Sequence, residues 1–423
     1  MDTNTIITIA IFVVTMFFIM TELIQRSVAA LAGGALMILF KVMSGEDAFH
    51  YIDLNTIGVL IGMMVSVGII KNAGLFEYVA IWAAKLTKAD PWRIVLSFSI
   101  ITAITSALLD NVTTVLLIAP MTLVITETLE LDPIPFLIPE ILASNIGGTS
   151  TLIGDPPNIM IGSAAGLGFG DFLTNLLPVC IVIFIVTFML LRLIYRKKMV
   201  VRDELKLKIM SFDPNKSITD KKLAFKSVAV MVLIMIGFFL HETFDYPSSV
   251  VAIAGAVLLL IITKEDVEDA FKSVEWPVIF FFVGLFIIVG GLEEKGIMKE
   301  LANGIITVTK GDSVLTGLAL VWISAFVSAF VDNIPFVATM IPLVKAIGQS
   351  GHTSIQAFWW AISLGACLGG NGTLIGASAN IVVSGIAKKQ GYDLSFKKFF
   401  KVGFPMMVVS VVLASAYLLL FYL

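Results

Sequence analysis

Stretches free of Asp, Glu, Lys and Arg recur along the whole chain. In the first half they cover 3–21, 27–40, 54–70, 94–109, 111–126, 141–154, 156–170 and 172–191. In the second they cover 227–240, 246–263, 276–292, 313–331, 333–344, 346–387 and 402–423. A simple spanning helix needs about 20 apolar residues, and several windows meet that. Others are short and come in pairs split by a carboxylate. Windows 94–109 and 111–126 flank Asp110, and 141–154 and 156–170 flank Asp155. Helices of about 16 residues reach roughly 24 Å at 1.5 Å per residue, slightly short of the hydrocarbon core. The pattern therefore predicts a re-entrant helical hairpin over 94–126, with Asp110-Asn111 at its tip. It also predicts a spanning helix over 136–166, unwound near 147–158.

The hairpin and the broken helix occur twice. Ser106-Ala107-Leu108-Leu109-Asp110-Asn111, Pro120 and the run 145–158 return as Ser328-Ala329-Phe330-Val331-Asp332-Asn333, Pro342 and 367–380. One unbroken offset of 222 maps Asp110 on Asp332, Asn111 on Asn333, Gly148 on Gly370, Thr151 on Thr373 and Asn158 on Asn380. This is an internal structural repeat. Gly/Pro-interrupted apolar segments at matching positions of two halves point to the binding site of a transporter.

Three regions follow: an N-terminal membrane repeat over 1–195, a basic linker over 196–226 and a C-terminal repeat over 227–423. Eleven Lys and Arg between Arg192 and Lys226 put the linker on the cytoplasmic side. Crossings in the first half number five (5–20, 27–43, 54–70, 136–166 and 174–194), because the hairpin turns back. An odd number inverts the second repeat relative to the first. Charge agrees: 166–178 has no Lys or Arg, whereas its counterpart 388–401 has Lys388, Lys389, Lys397, Lys398 and Lys401. The acidic segment 127–139 falls on the cytoplasmic side against this trend. Acidic residues weigh little in the rule.

Composition narrows the function. The chain is 58% hydrophobic and 14% charged, with mean hydropathy +0.99. Soluble domains carry roughly 25% charged residues. The chain is an all-α polytopic membrane protein, expected in the plasma membrane, with the lipid bilayer as its surroundings. Met1-Asp2-Thr3-Asn4 lacks the positive start of a cleaved signal peptide, so 5–20 is read as a retained helix. No basic patch interleaved with aromatics is present, which excludes nucleic acid. Cys180 and Cys367 make neither a disulfide framework nor a metal site. No His-Glu-x-x-His, no paired catalytic Ser and His and no phosphate loop is found. An enzyme is not expected, nor a metal or cofactor.

The candidate chemistry lies in the repeat. A carboxylate at bilayer depth costs at least about 2.5–3.5 kcal/mol, so Asp110 and Asp332 need partners or a function. They read as ion-coupling residues or as N-caps, and one residue can do both. Asn111 and Asn333 beside them supply donors and acceptors. Gly147, Gly148, Gly369 and Gly370 let a ligand approach an unwound backbone, or let helices pack closely. Thr149, Thr151, Asn371 and Thr373 offer hydroxyl or amide ligands, and Asn158 and Asn380 recur beyond them. Asp155-Pro156-Pro157 becomes Ala377-Ser378-Ala379, so Asp155 exists once: a coupling carboxylate, or an N-cap before Pro-Pro. Asn145 maps on Cys367, a thiol that suits arsenite or a buried core position. Glu22 and Glu140 are placed at the membrane interface, and His50, His241 and His352 in loops.

The runs 145–158, 332–336 and 367–380 resemble the ion transporter superfamily. They are most similar to its branch of melanosomal P protein and bacterial arsenite efflux permeases. The resemblance covers nearly the whole chain. It implies two inverted-topology repeats, each with a re-entrant hairpin and a broken helix. It implies division into scaffold and transport parts, frequent homodimers and an elevator-like movement. It places binding at Asp110, Asn111, Asp332 and Asn333, and at the breaks 147–151 and 369–373 with Asn158 and Asn380. Dicarboxylate transporters of the superfamily carry Ser-Asn-Thr at the hairpin tip, where this chain has Asp110-Asn111-Val112 and Asp332-Asn333-Ile334. The added carboxylate disfavours a di- or trianion. The expected function is secondary active transport, with proton-coupled efflux of arsenite or a related small inorganic solute foremost. Na⁺/H⁺ antiport and an anion transporter or channel are the alternatives.

Overall fold

The computed structural model describes residues 3–196, 199, 201–349 and 355–423. Met1, Asp2, Lys197, Lys198 and His352 lie outside the described residues. No strand occurs among the described residues.

The first repeat runs α1 (Thr3–Thr21), α2 (Arg26–Leu39), α3 (Gly45–His50), α4 (Leu54–Lys71), α5 (Leu75–Leu86), α6 (Pro91–Leu108), α7 (Asn111–Thr128), α8 (Ile134–Thr149), α9 (Pro156–Ala165) and α10 (Phe169–Tyr195). α11 (Asp203–Met210) lies in the linker. The second repeat runs α12 (Lys221–Leu240), α13 (Ser248–Thr263), α14 (Val267–Phe271), α15 (Trp276–Glu294), α16 (Ile297–Thr309), α17 (Ser313–Phe330), α18 (Asn333–Gln349), α19 (Ile355–Gly369), α20 (Ser378–Lys389) and α21 (Phe396–Phe421). The offset of 222 carries the starts of α2, α3, α4, α5, α6, α7 and α9 onto those of α13, α14, α15, α16, α17, α18 and α20.

Nine helices among the described residues are long and apolar enough to cross a membrane. Length alone does not tell which ones do. The hairpin arms α6 and α7 are 18 residues each, longer than their charge-free windows, because Asp90 caps α6 at Arg93 and Pro91 begins it. That is about 27 Å at 1.5 Å per residue, enough to cross. What makes them re-entrant is where their outer ends lie. α5, just before α6, sends Lys85 Nζ to Phe212 O in the linker at 2.6 Å. Just beyond α7, Glu130 pairs with Arg202 of the linker at 2.8 Å. Both outer ends are on the linker side, and the arms meet at Leu109-Asp110 inside the bundle. The Glu130–Arg202 pair also seats the acidic 127–139 segment beside basic residues.

The repeats interlock. α4 packs along α13, and α15 along α2. Glycine permits both contacts, since a Cβ at Gly62 would meet the backbone of Ala252, and one at Gly284 the backbone of Ala30. The hairpins do the same for the breaks: α7 packs on α20, and α18 on α9. The result is an inverted pair in which each half completes the other.

Glu140 departs from its expected place. It is 2% exposed, and its Oε1 accepts from Thr122 Oγ1 at 2.5 Å between α7 and α8. The interface assignment fails because two apolar helices enclose this side chain. Glu22, by contrast, is half-exposed just past α1 and paired with Arg26. His50 is the last residue of α3, and His241 caps the C-terminal end of α12.

Candidate functional site

Each broken helix is held open by the same set of bonds. α8 continues through Gly147, Gly148 and Thr149 and ends there, and α9 starts at Pro156. Asn158 Nδ2, on the first turn of α9, donates back to the carbonyls of Thr149 at 3.1 Å and Thr151 at 2.9 Å. Asn380 does the same to Gly370 O at 2.7 Å and Thr373 O at 2.9 Å. Thr151 Oγ1 donates to Ala107 O at 2.5 Å, and Thr373 Oγ1 to Ala329 O. Carbonyls left free by an interrupted helix in a dry interior need such donors. The asparagines and threonines thus clamp the break to the neighbouring hairpin arm.

Close packing sets the glycines. A Cβ on Gly147 would stand 2.6 Å from Ala103 Cα, and one on Gly369 2.8 Å from Ala325 Cα. Each broken helix therefore lies directly on a hairpin arm. A Cβ on Gly148 would meet Gly154 O at 2.5 Å, and one on Gly370 would meet Ala377 Cβ at 3.1 Å, so both small residues close the loop of the break.

An amide network joins the halves at the centre. Asn145 Nδ2 donates to Asn371 Oδ1 at 2.9 Å and Asn380 Oδ1 at 3.0 Å, and its Oδ1 accepts from Asn111 Nδ2 at 3.4 Å. Cys367, the counterpart of Asn145, lies 3.6 Å from Asn158 Oδ1, which also accepts from Ser363 Oγ at 2.7 Å. Thr149 spends its hydroxyl on Asn145 O at 2.6 Å.

The carboxylates take different roles. Asp110 caps α7 by accepting from Thr113 N at 2.8 Å, and is half-buried. Asp332 accepts from Ile334 N at 3.1 Å and from Ser378 Oγ at 2.7 Å, and forms an ion pair with Arg26 at 2.6 Å. Asp155 precedes Pro156 but makes no capping bond. Its two oxygens accept from Asn333 Nδ2 at 3.2 and 3.1 Å.

A cavity of about 230 Å³ lies where the tips meet. Asp110, Asn111, Asp155 and Asn333 line it, together with Glu275, Ser378 and apolar Leu60, Met64 and Val382. No Lys or Arg is among the described residues that line it. Of the residues singled out in the sequence, these four reach the cavity. Asp332 stands behind the tip, and the Asn145–Asn371–Asn380 network, Asn158, the threonines and the glycines build its walls. Glu275 and Arg26 were not found from the sequence, because both stand at the ends of charge-free windows and read as boundaries. The offset of 222 from Asp53, which caps α4, is the one signal that marks Glu275.

Comparison with known proteins agrees with this architecture. The chain is 42% identical to a 46 kDa membrane protein of Mycobacterium leprae over 99% of both chains. It is 40% identical to an uncharacterized transporter of Mycobacterium bovis, covering 99% of this chain and 98% of that one. It is 33% identical to the P protein of Sus scrofa over 95% of this chain, which spans 57% of that longer protein. Its fold is like that of the Alcanivorax borkumensis YdaH transporter, with a TM-score of 0.58 at 14% identity, over 90% of this chain and 88% of that one. The citrate transporter family matches residues 16–365. With well over half of its length matched by the family, the chain belongs to the citrate transporter family of the ion transporter superfamily and is a membrane transporter.

Proposed function

We propose that this transporter is secondary active and exports a small inorganic solute, arsenous acid or a close relative, in exchange for protons. One observation carries the reading: the cavity between the hairpin tips is lined by Asp110, Asp155 and Glu275, with no Lys or Arg among the described residues that line it. A trianion such as citrate would meet like charges there, while Arg26 behind Ser378 is already paired with Asp332 and Glu22, in a setting where screening is weak. A neutral hydroxylated solute suits the amides of Asn111 and Asn333, and carboxylates suit a proton. In this reading Asp110, Asp155 and Asp332 are the ion-coupling residues. Asn111 and Asn333 contact the solute directly. Asn145, Gly147, Gly148, Thr149, Thr151, Asn158, Gly369, Gly370, Asn371, Thr373 and Asn380 shape the binding region around it. The protein works as a homodimer in the plasma membrane, with the 196–226 linker cytoplasmic and an elevator-like movement of the hairpins.

Asp110, Asp155 and Glu275 at the cavity favour a second reading, Na⁺/H⁺ antiport, because they suit a bare cation as well as a proton. Proteoliposomes under an imposed pH gradient test both, with arsenite, Na⁺, chloride and citrate offered separately. Proton-driven arsenite flux supports efflux. Na⁺ flux alone supports antiport. Chloride or citrate flux without the other two overturns both.

A further inference from the structure

A second cavity, of about 350 Å³, adjoins the central one and reaches the linker-side ends of α1 and α2, lined by Glu22, Gln25, Arg26, Phe281, Asp332 and Ser378. It sits at the N-terminal ends of α2 and α15. α15 starts on the linker side, since Lys226 at the start of α12 donates to Ile262 O at the end of α13, just before α14 and α15. Val278, Ile334 and Ser378 line both cavities, so they form the wall between them. A chain of polar contacts runs along the second cavity's side of that wall and reaches it at Ser378. Arg26 Nη1 lies 2.6 Å from Asp332 Oδ2 and 3.3 Å from Ser378 Oγ. Ser378 Oγ donates to Asp332 Oδ2 at 2.7 Å, and Arg26 Nη2 pairs with Glu22.

We infer that Arg26 is a positioning residue that closes the linker-side gate of the transport pathway, by holding the tip of the second hairpin and the start of α20 against α2. Three elements meet at this one guanidinium: α2, which packs on α15, the hairpin tip at Asp332, and α20 at Ser378. The planar guanidinium can engage the carboxylate, the hydroxyl and Glu22 at once, which a lysine cannot do with the same geometry. Asp332 is 6% exposed, so its charge is poorly screened and depends on this partner. Without it the buried carboxylate draws water into the wall, and the two cavities join. The gate exists once. The offset of 222 places Ser248 opposite Arg26 and Pro156 opposite Ser378. Ser248 is instead bonded to Asn55 at 3.2 Å. The inference rests on the reading of the central cavity as the solute site, but its test does not need a transported solute.

The test is thiol labelling of Met64→Cys, which lines the central cavity, in a background with Cys180 and Cys367 replaced by alanine and serine. A membrane-impermeant methanethiosulfonate is applied to either face of reconstituted vesicles. Arg26→Gln is expected to speed labelling from the linker face at least tenfold and to leave the opposite face unchanged. Ser378→Ala is expected to speed it a few-fold in the same direction, and carries the test if Arg26→Gln does not fold. The exchange Arg26→Asp with Asp332→Arg is expected to restore the slow rate. Unchanged labelling in the folded single variants overturns the gate. So does faster labelling from the opposite face or from both, which would make Arg26 a general brace. Gated labelling without arsenite flux would sink the functional reading alone.

Discussion

Asn333 donates to both oxygens of Asp155, at 3.2 and 3.1 Å, from the hairpin of one repeat to the broken helix of the other. The counterpart of Asp155 is Ala377, so the counterpart asparagine, Asn111, turns to Asn145 instead. The approximate symmetry of the fold therefore ends at the central cavity. One carboxylate there answers to an amide from the opposite repeat.

That contact makes a first prediction. Asp155 is 1% exposed, and Asn333→Ala leaves its carboxylate without this donor. A lost hydrogen bond to a buried charged group costs about 1.5–3 kcal/mol. Thermal unfolding in detergent should show a loss of that order. Asp155→Asn keeps the shape and should cost less stability while cutting coupled flux at least tenfold. Full flux in Asp155→Asn would remove it from the coupling set.

Asp110 and Asp332 separate capping from coupling. Asparagine caps a helix about as well as aspartate, so Asp110→Asn should leave stability within about 0.5 kcal/mol. Coupled transport in proteoliposomes should nonetheless be abolished. Asp332→Asn should abolish it too and should also lose stability, because Arg26 then lacks its partner at 2.6 Å. If both variants transport normally, neither carboxylate couples transport, and Asp110 serves only as a cap.

The pairing of Glu140 with Thr122 gives a third expectation. Glu140 Oε2 is buried and has no hydrogen-bond partner among the described residues, so Thr122 is the donor that matters. Thr122→Val should destabilise the protein by about 1–3 kcal/mol. Glu140→Gln keeps an acceptor for Thr122 and should be milder. Equal melting temperatures for Thr122→Val and the parent would show that the bond contributes nothing.

These residues also show what the sequence made legible. The hairpin tips and the breaks stood out through the offset of 222, because a repeated constraint leaves the same residues twice, and the inversion followed from the odd number of crossings and the Lys/Arg asymmetry. The asymmetry at Asp155 was visible for the same reason. What escaped depended on rotation and on distant partners. Thr151 and Thr373 face hairpin carbonyls rather than the cavity, a direction set by how the chain leaves α8 and α19. Arg26 and Asp332 are 306 residues apart and share no repeat position, so nothing local pairs them. α5 and α16 were hidden because their charges interrupt every apolar window. Glu140 was misplaced because a lone carboxylate at a window edge does not reveal what packs around it.

The inverted arrangement itself can be tested at the two ends of α10. Asn175 lies near its start, where its carbonyl accepts from Tyr417 Oη at 2.8 Å. Ser217 lies in the linker beyond its end, with its carbonyl against Gly74 just past α4. α10 spans 27 residues, about 40 Å at 1.5 Å per residue, which is more than the hydrocarbon core. Cysteines introduced singly at Ser217 and Asn175 should therefore react with an impermeant reagent from opposite faces, Ser217 from the linker face. Neither position lines the central cavity, so labelling there reports sidedness and not solute access. Reaction from one and the same face would mean that α10 does not cross. The number of crossings between the repeats would then be even, and the second hairpin would enter from the same side as the first. Asn333 and Asp155 would have no way to meet.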